Sequence, residues 1–369
     1  MPEPHSPPKG GTPSAVLQVI TDTDRRGGQV FAHDLHREIE RRGCTVQTVA
    51  LAPGTGNGLD FEVLGPTRRS QRTLRALRAA ISESAVVVGH GSTTLPMCAI
   101  AGWGLDTPFV YRQISQQQFW ARTPAQRFRT RQALRATDHV VALWTGAAET
   151  LIGTYGVDAG RITVIPNGVP SGNFQTLDQQ RRRDARLRFG LDPARPTLVY
   201  LGALVPEKGV DVLVQALNDP ALSGWQLLVA GAGPERARLV ELASRLSPGA
   251  VRLHEPVASG REALAAADVV GLTSRGGDSM PAVLIEAGMM GIPTVATPIE
   301  GIVEVVIDGS TGALVDIDDV HGTAKAISVV GRRQRQLGEA ARNHCLERFD
   351  IRTVADQWLT LLQRFSRLR

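Results

Sequence analysis

Lysine is nearly missing from this sequence: among 41 basic residues only Lys9, Lys208 and Lys325 are lysines. Against that arginine-dominated background, which suggests a GC-rich coding sequence, a lysine held in a loop stands out as a chemical choice. Cysteine is equally scarce. Cys44, Cys98 and Cys345 are odd in number, far apart and show no CxxC or Cys/His spacing, which argues against a disulfide framework and a structural metal site and reads as buried thiols. The eight histidines contain no HExxH; His33 and His36 stand at i,i+3 with no further His or Cys nearby and read as solvated, so no metal is assigned. Long apolar runs are missing too. Segments 95–103 and 282–297 are broken by Pro and Gly and fall short of the roughly 18 apolar residues of a membrane span. Residues 1–14, rich in Pro, Gly and Ser, lack the apolar stretch of a signal peptide and read as a disordered lead-in. A soluble cytoplasmic protein is the expectation.

What is present is a chain of 369 residues, 42% apolar, with a net charge of +5. That length suits two α/β domains of ordinary size. Short β-branched runs alternate with amphipathic helical patterns, the grammar of parallel sheets flanked by helices. In the first half the strands are expected at 16–20, 45–51, 85–89, 108–111, 139–143 and 162–166, with helices over 29–42 and 124–137. A polar, proline-bounded interval at 170–196, itself helical over 181–189, separates the halves. The pattern then restarts at 197–202, 226–231, 251–255, 269–273, 293–297 and 312–316. The expected organisation is a first Rossmann-like domain over 15–170 and a second over 171–349. Residues 350–369 form a closing helix whose Val354, Trp358, Leu361, Leu362 and Phe365 dock on the first domain. Two such domains leave a cleft at the carboxyl ends of both sheets.

Basic residues cluster at 68–78, 122–135, 181–188 and 332–335. Solvated helix faces are the plain reading. A sharper one is peripheral contact with an anionic membrane or an acidic acceptor, supported by Arg127, Arg131 and Arg135 at i,i+4 spacing beside Phe119 and Trp120. No zinc-finger, homeodomain or RNP-type signature accompanies the charge, so nucleic acid is not an expected partner.

The segment 273–301, TSRGGDSMPAVLIEAGMMGIPTVATPIEG, carries the strongest chemical signal. A strand end leads through a glycine-containing loop that presents Asp278, and Pro281 is expected at the first position of the following helix. The N–H groups and positive dipole end of that helix suit a diphosphate. Glu286, in its second turn, is placed to accept from ribose hydroxyls and Asp278 from a sugar, since a carboxylate is an acceptor able to take two donors.

Asp278, seven residues and Glu286, followed by Ala287, Gly291, Pro293 and 294–297, resemble the retaining glycosyltransferases of family 4, whose mark is two acids at that spacing before an EAMAxGxPVVAT run. Gly27-Gly28, IPNGV at 165–169, LGALVPEKG at 201–209 and VAGAGPERARL at 229–239 extend the resemblance over nearly the whole chain. It implies the GT-B fold and sugar transfer from a nucleoside diphosphate sugar to an acceptor without metal or other cofactor. It further implies that Glu286 binds the donor ribose, Asp278 the transferred sugar, and the backbone of Ser279, Met280, Pro281, Ala282 and Val283 the phosphates. It implies too that Lys208 neutralises the leaving diphosphate, that Gly27 and Gly28 admit it closely to the first domain, and that Val257 borders the base. The chain departs from the family at three places. The first acid is Asp rather than Glu. Gly202-Ala203-Leu204 lacks an arginine that normally assists the lysine, for which Arg275 or Arg112 would stand in. Ile114 occupies the place of a cleft histidine, with His90 the nearest replacement. Rival readings are a nucleotide-sugar 2-epimerase of the same architecture and a catalytically silent nucleotide-sugar-binding protein.

Overall fold

The computed structural model describes residues 16–56, 58–115, 121, 123–257 and 259–365. The expected lead-in 1–14, the aromatic pair Phe119 and Trp120, Arg122 and the end of the closing segment lie outside the described residues. Seven strands make the first sheet: β1 (Val16–Asp22), β2 (Val46–Ala52), β3 (Glu62–Val63), β4 (Val86–His90), β5 (Phe109–Arg112), β6 (His139–Ala142) and β7 (Ile162–Val164). Their order is β3-β2-β1-β4-β5-β6-β7, and every pairing is parallel. The second sheet holds β8 (Thr197–Leu201), β9 (Gln226–Ala230), β10 (Val251–His254), β11 (Val269–Leu272), β12 (Thr294–Ala296) and β13 (Gly312–Leu314), again all parallel, in the order β10-β9-β8-β11-β12-β13. Strands buried on both faces need continuous apolar runs, and Val86, Val87, Val88 and Leu227, Leu228, Val229 are all fully buried.

The sheet strands expected from sequence are all present, with ends that differ by one or two residues: β1 runs two residues longer, β2, β4 and β5 are shifted by one, and the others are shorter. β3 was not anticipated: it is two exposed residues with no apolar periodicity, held by pairing Glu62 and Val63 to Val49 and Ala50 and by Gln47 Nε2 donating to the Glu62 carboxylate at 3.1 Å. The closing helix Ile351–Leu362 buries Ile351, Val354, Ala355, Trp358, Leu359, Leu361 and Leu362. They meet Phe31, Leu35 and Ile39 of the opening helix Gly27–Arg41 and Val88, Val110 and Val141 of the first sheet in one core cluster. The chain therefore crosses between the domains twice, and the crossings are tied together: Val169 N–H donates to Phe349 O at 2.9 Å and Ile351 N–H to Val169 O at 3.0 Å.

A further tie runs from Glu304 of the second domain to the helix Thr145–Tyr155 of the first. Its carboxylate accepts the Thr145 N–H at 3.0 Å, doing from another domain what the N-cap residue Trp144 cannot do. Glu304→Ala is expected to cost about 1 kcal/mol, as loss of an N-cap does, read as a lower urea midpoint at unchanged m-value.

Candidate active site

Strand order reverses between β1 and β4 in one sheet and between β8 and β11 in the other. Loops leaving the carboxyl ends of such neighbours diverge and open a crevice. Gly27-Gly28 follows β1, Lys208 follows β8 and Asp278 follows β11, so residues far apart in sequence are carried to two facing switch points.

Backbone crowding sets the position of Lys208. The next residue, Gly209, has φ +59°, and a Cβ there would lie 2.1 Å from the Thr273 carbonyl oxygen; only glycine fits. The Thr273 hydroxyl donates to Gly209 O at 2.8 Å, pinning the lysine loop to the end of β11. In consequence the Lys208 Nζ donates to the Asp278 carboxylate, whose other oxygen accepts from the Ser274 hydroxyl. This ammonium–carboxylate pair sits just ahead of the helix Ala282–Met289, hereafter the cleft helix. A ligand that offers an anion to one partner and hydroxyl donors to the other can divide it.

Pro281 departs from its expected position. With φ −66° and ψ 121° it is extended, serves as the N-cap, and leaves Ala282 as the first helical residue. The N–H groups of the first turn thus begin at Ala282 and Val283, without helical partners. Ser279 and Met280 use their carbonyls to hold the loop: Ser279 O accepts from Gly301 N–H at 2.7 Å and Met280 O from Asn167 Nδ2 at 2.6 Å.

A cavity of about 660 Å3 separates the cleft helix from the first domain, lined on one side by Gly27, Phe31 and Asp34 and on the other by Val257, Ala282 and Glu286. Burial, with the Asp34 carboxylate adding, pushes the Glu286 carboxyl up to about 7. Gly28 is the second residue of the opening helix, packed so that a Cβ would meet Ile114 Cδ1 at 2.6 Å.

Three expected residues are engaged elsewhere. Arg275 gives its guanidinium to Asp211 (3.0 Å), Asp318 (2.6 Å) and the Pro206 carbonyl (2.7 Å), which makes it a brace for the Lys208 loop. Arg112 is fully buried, stacked 3.7 Å over the Phe31 ring and bonded to Asn167 Oδ1; burial lowers it to about 9. Through Asn167 it connects β5 to Met280, so it steadies the loop that leads into the cleft helix. His90 is 2% exposed, between Phe31 and Trp358, with Nε2 against Gln18 Oε1 at 2.9 Å. Burial, then Arg112, holds it well below its ordinary value, so it is a neutral imidazole at the floor of a cavity of about 310 Å3 that also includes Arg26, Gly28, Arg68 and Thr93.

Sequence reasoning missed Glu300. It has φ +46°, a left-handed backbone that costs a non-glycine residue on the order of 1 kcal/mol. One carboxylate oxygen is buried without a partner. Burial and the Asp278 charge raise its carboxyl to about 7, against the pull of Lys208. Glu300→Gly is expected to raise stability by about 1 kcal/mol by removing the strain, seen as a higher Tm. Among the described residues no group of three His, Cys, Asp or Glu is placed to hold a metal ion, and no helix is long and apolar enough to cross a membrane.

Residues 25–172 match the model of Glycosyltransferase Family 4, and residues 195–331 match that of Glycosyl transferases group 1; together they take in well over half of the chain. A D-inositol 3-phosphate glycosyltransferase of Xylanimonas cellulosilytica is 34% identical over 224 residues, which cover 57% of this chain and 53% of that protein. The match therefore spans about half of that relative's length. A D-inositol 3-phosphate glycosyltransferase of Actinosynnema mirum is 29% identical over 90% of this chain and 87% of its own. The solved structure of Anabaena HepE in complex with UDP and glucose superposes with a TM-score of 0.80 at 19% identity, over 94% of this chain and 99% of the other, and shares its GT-B fold.

Proposed function

Because the chain belongs to the group 1 and family 4 glycosyl transferases, we propose that it moves a sugar from a nucleoside diphosphate donor to an acceptor in the cleft, with retention of configuration and without metal. The observation that carries this reading is the Lys208–Asp278 pair at the mouth of the cleft helix. The donor diphosphate takes up the Lys208 ammonium and the first-turn N–H groups of Ala282 and Val283; the sugar hydroxyls donate to Asp278 and the ribose hydroxyls to Glu286. As the bond from the anomeric carbon to the phosphate oxygen breaks, charge grows where Lys208 stands, and a fixed cation is worth most there. The acceptor oxygen bonds to the same face of the anomeric carbon, and its proton passes to the departing phosphate. Gly27, Phe31 and Val257 wall the cleft and exclude water.

The acceptor seat is the cavity at Gly28, where Arg26 and Arg68 both lean on Asp22, at 2.5 and 2.7 Å. Asp24 also stands 3.6 Å from Arg26, but the lining itself presents the two guanidinium groups and no acid to an anionic acceptor, and relatives named for inositol 3-phosphate make phosphorylated polyols the first to try. Peripheral contact with an anionic membrane belongs to the same reading, supported by exposed Trp103 and Phe128 near a groove shared by Ile100 and Arg129.

The test is nucleoside diphosphate release from a panel of donors beginning with UDP-glucose, in excess chelator, with and without a phosphorylated polyol. Slow release, accelerated by acceptor and indifferent to chelation, is expected. No release from any donor would leave a binding protein, a 2-epimer product an epimerase, and rescue only by magnesium or manganese would remove the metal-free mechanism.

A further inference from the structure

We propose that the back of the second domain holds a separate receptor for a small soluble polyphosphate or phosphate ester, which tunes the donor cleft from the opposite edge of the sheet. Anion binding there stands without the donor reading; the tuning rests on it.

Two of the basic clusters in the sequence converge on one cavity of about 590 Å3. The helix Gln179–Arg188 contributes Arg182, Arg183 and Arg186, and the long helix Gln334–Phe349 contributes Arg335 and Arg342. Asp268 and Glu339 are the only acids in the lining, so five cations face two anions, a net of +3. The inner arginines are fixed in the wall. Arg186 donates to Ala266 O at 3.0 Å, Pro193 O at 3.1 Å and Asp268 at 2.7 Å. Arg182 donates to Ala267 O at 2.9 Å and stands 3.7 Å from the same Asp268, and Arg342 is held by the Met289 and Phe174 carbonyls. Carbonyls orient a guanidinium without neutralising it, and the Asp268 carboxylate is already divided between two arginines and the Thr197 N–H. Burial lowers Arg182, and the neighbouring Arg186 adds to this against the pull of Asp268. At the rim Arg183 and Arg335 are exposed, with no ion pair or hydrogen bond among the described residues.

A recess with fixed guanidinium forks in its wall and two free ones at its mouth matches phosphate oxygens, which accept bidentate pairs from several sides. Its size is that of a small-molecule site, and Leu177, Pro193 and Met290 give an apolar wall for a sugar or base ring. Asp268 and Pro193 precede β11 and β8, so the recess lies at the amino ends of strands whose carboxyl ends carry Lys208 and Asp278, about 17 Å away for a five-residue strand.

The two edges are joined by close backbone packing. A Cβ on Gly338 would lie 2.1 Å from Gly291 O and one on Gly288 2.4 Å from Cys345 Sγ, so the long helix packs closely on the cleft helix and the turn that follows it, with the Cys345 thiol between them at Gly288. An anion that draws Arg335 and Arg342 toward Arg182 and Arg186 therefore moves the element that carries Glu286. The coupling must be reciprocal between the two ligands.

The experiment titrates tripolyphosphate into the full-length protein with its cleft saturated by UDP, by calorimetry, in wild type and in Arg183→Glu/Arg335→Glu. Wild type is expected to bind one equivalent, the double variant about tenfold or more weakly, with unchanged turnover in the absence of tripolyphosphate. Tripolyphosphate should also shift the donor KM of wild type by about twofold or more and leave that of the variant alone. Glu286→Ala, altered only at the opposite edge, retains the binding, which separates failure of this site from failure of the donor reading. Equal binding by wild type and variant, or none once UDP fills the cleft, would overturn the proposal. So would variant-sensitive binding to phosphatidylglycerol vesicles without binding of the free anion.

Discussion

Lys208→Ala is expected to lower kcat by about 10²–10³-fold, the loss seen when one preorganised donor to a developing charge is removed, while the affinity for nucleoside diphosphate falls by less than about tenfold. The inequality is the diagnostic part. In the resting protein the ammonium is already paired with Asp278, so the donor gains Lys208 only by displacing that contact, and much of the ground-state attraction is offset. As the glycosidic bond breaks, the diphosphate acquires charge that Asp278 no longer rivals, and the lysine is worth more in the transition state than in the complex. Lys208→Arg should recover part of the rate, because a planar fork cannot occupy the point of a compact ammonium; the exposed Ala203, where the family carries an arginine, leaves room for it. Initial rates and nucleotide titration on folded variants measure both quantities. Full activity in Lys208→Ala would transfer the role to another cation and end the reading of the Lys208–Asp278 pair.

Glu286→Ala should weaken donor binding by about 1.5–3 kcal/mol, the worth of a hydrogen bond to a charged group, or roughly ten- to a hundredfold in Kd. A pH signature accompanies it. The carboxyl titrates near 7 because burial and Asp34 disfavour its charge. Ribose hydroxyls donate to the ionised form, so wild-type affinity should fall as pH drops through 7, and bound donor should pull the transition to lower pH. Glu286→Gln removes the titration but keeps an acceptor, and its affinity should lose that part of the pH dependence. Unchanged nucleotide affinity in either variant at pH 8 would sink the assignment.

The sheets were legible because strands buried on both faces must be runs of apolar, β-branched residues, and such runs at 85–89 and 226–231 have no competing interpretation. β3 was illegible for the converse reason: two exposed residues carry no pattern. At the site, the acids and the lysine could be named from a contiguous motif and a loop. What each side chain touches depended on partners in other elements. Nothing near Arg275 announces Asp211 and Asp318, and nothing near His90 announces Trp358 arriving from the far end of the chain. Glu300 escaped notice because its distinguishing property, a positive φ, belongs to the backbone.

The closing helix also sets a timetable. β7 ends at Val164, yet Phe31, Val88 and Val110 are not covered until Ile351–Leu362 is made. Close to 190 residues lie between, which at about 5–20 residues per second is on the order of 10–40 s of synthesis. Through that interval the nascent first domain has an open apolar face, and the second domain, whose sheet lies within 197–314, still waits for Ile327, Val330, Leu337, Cys345 and Phe349 of the two helices that complete its core. Folding on the ribosome should therefore finish late in both halves, the second domain when Gln334–Phe349 emerges and the earlier-made first domain directly after it, with Ile351–Leu362.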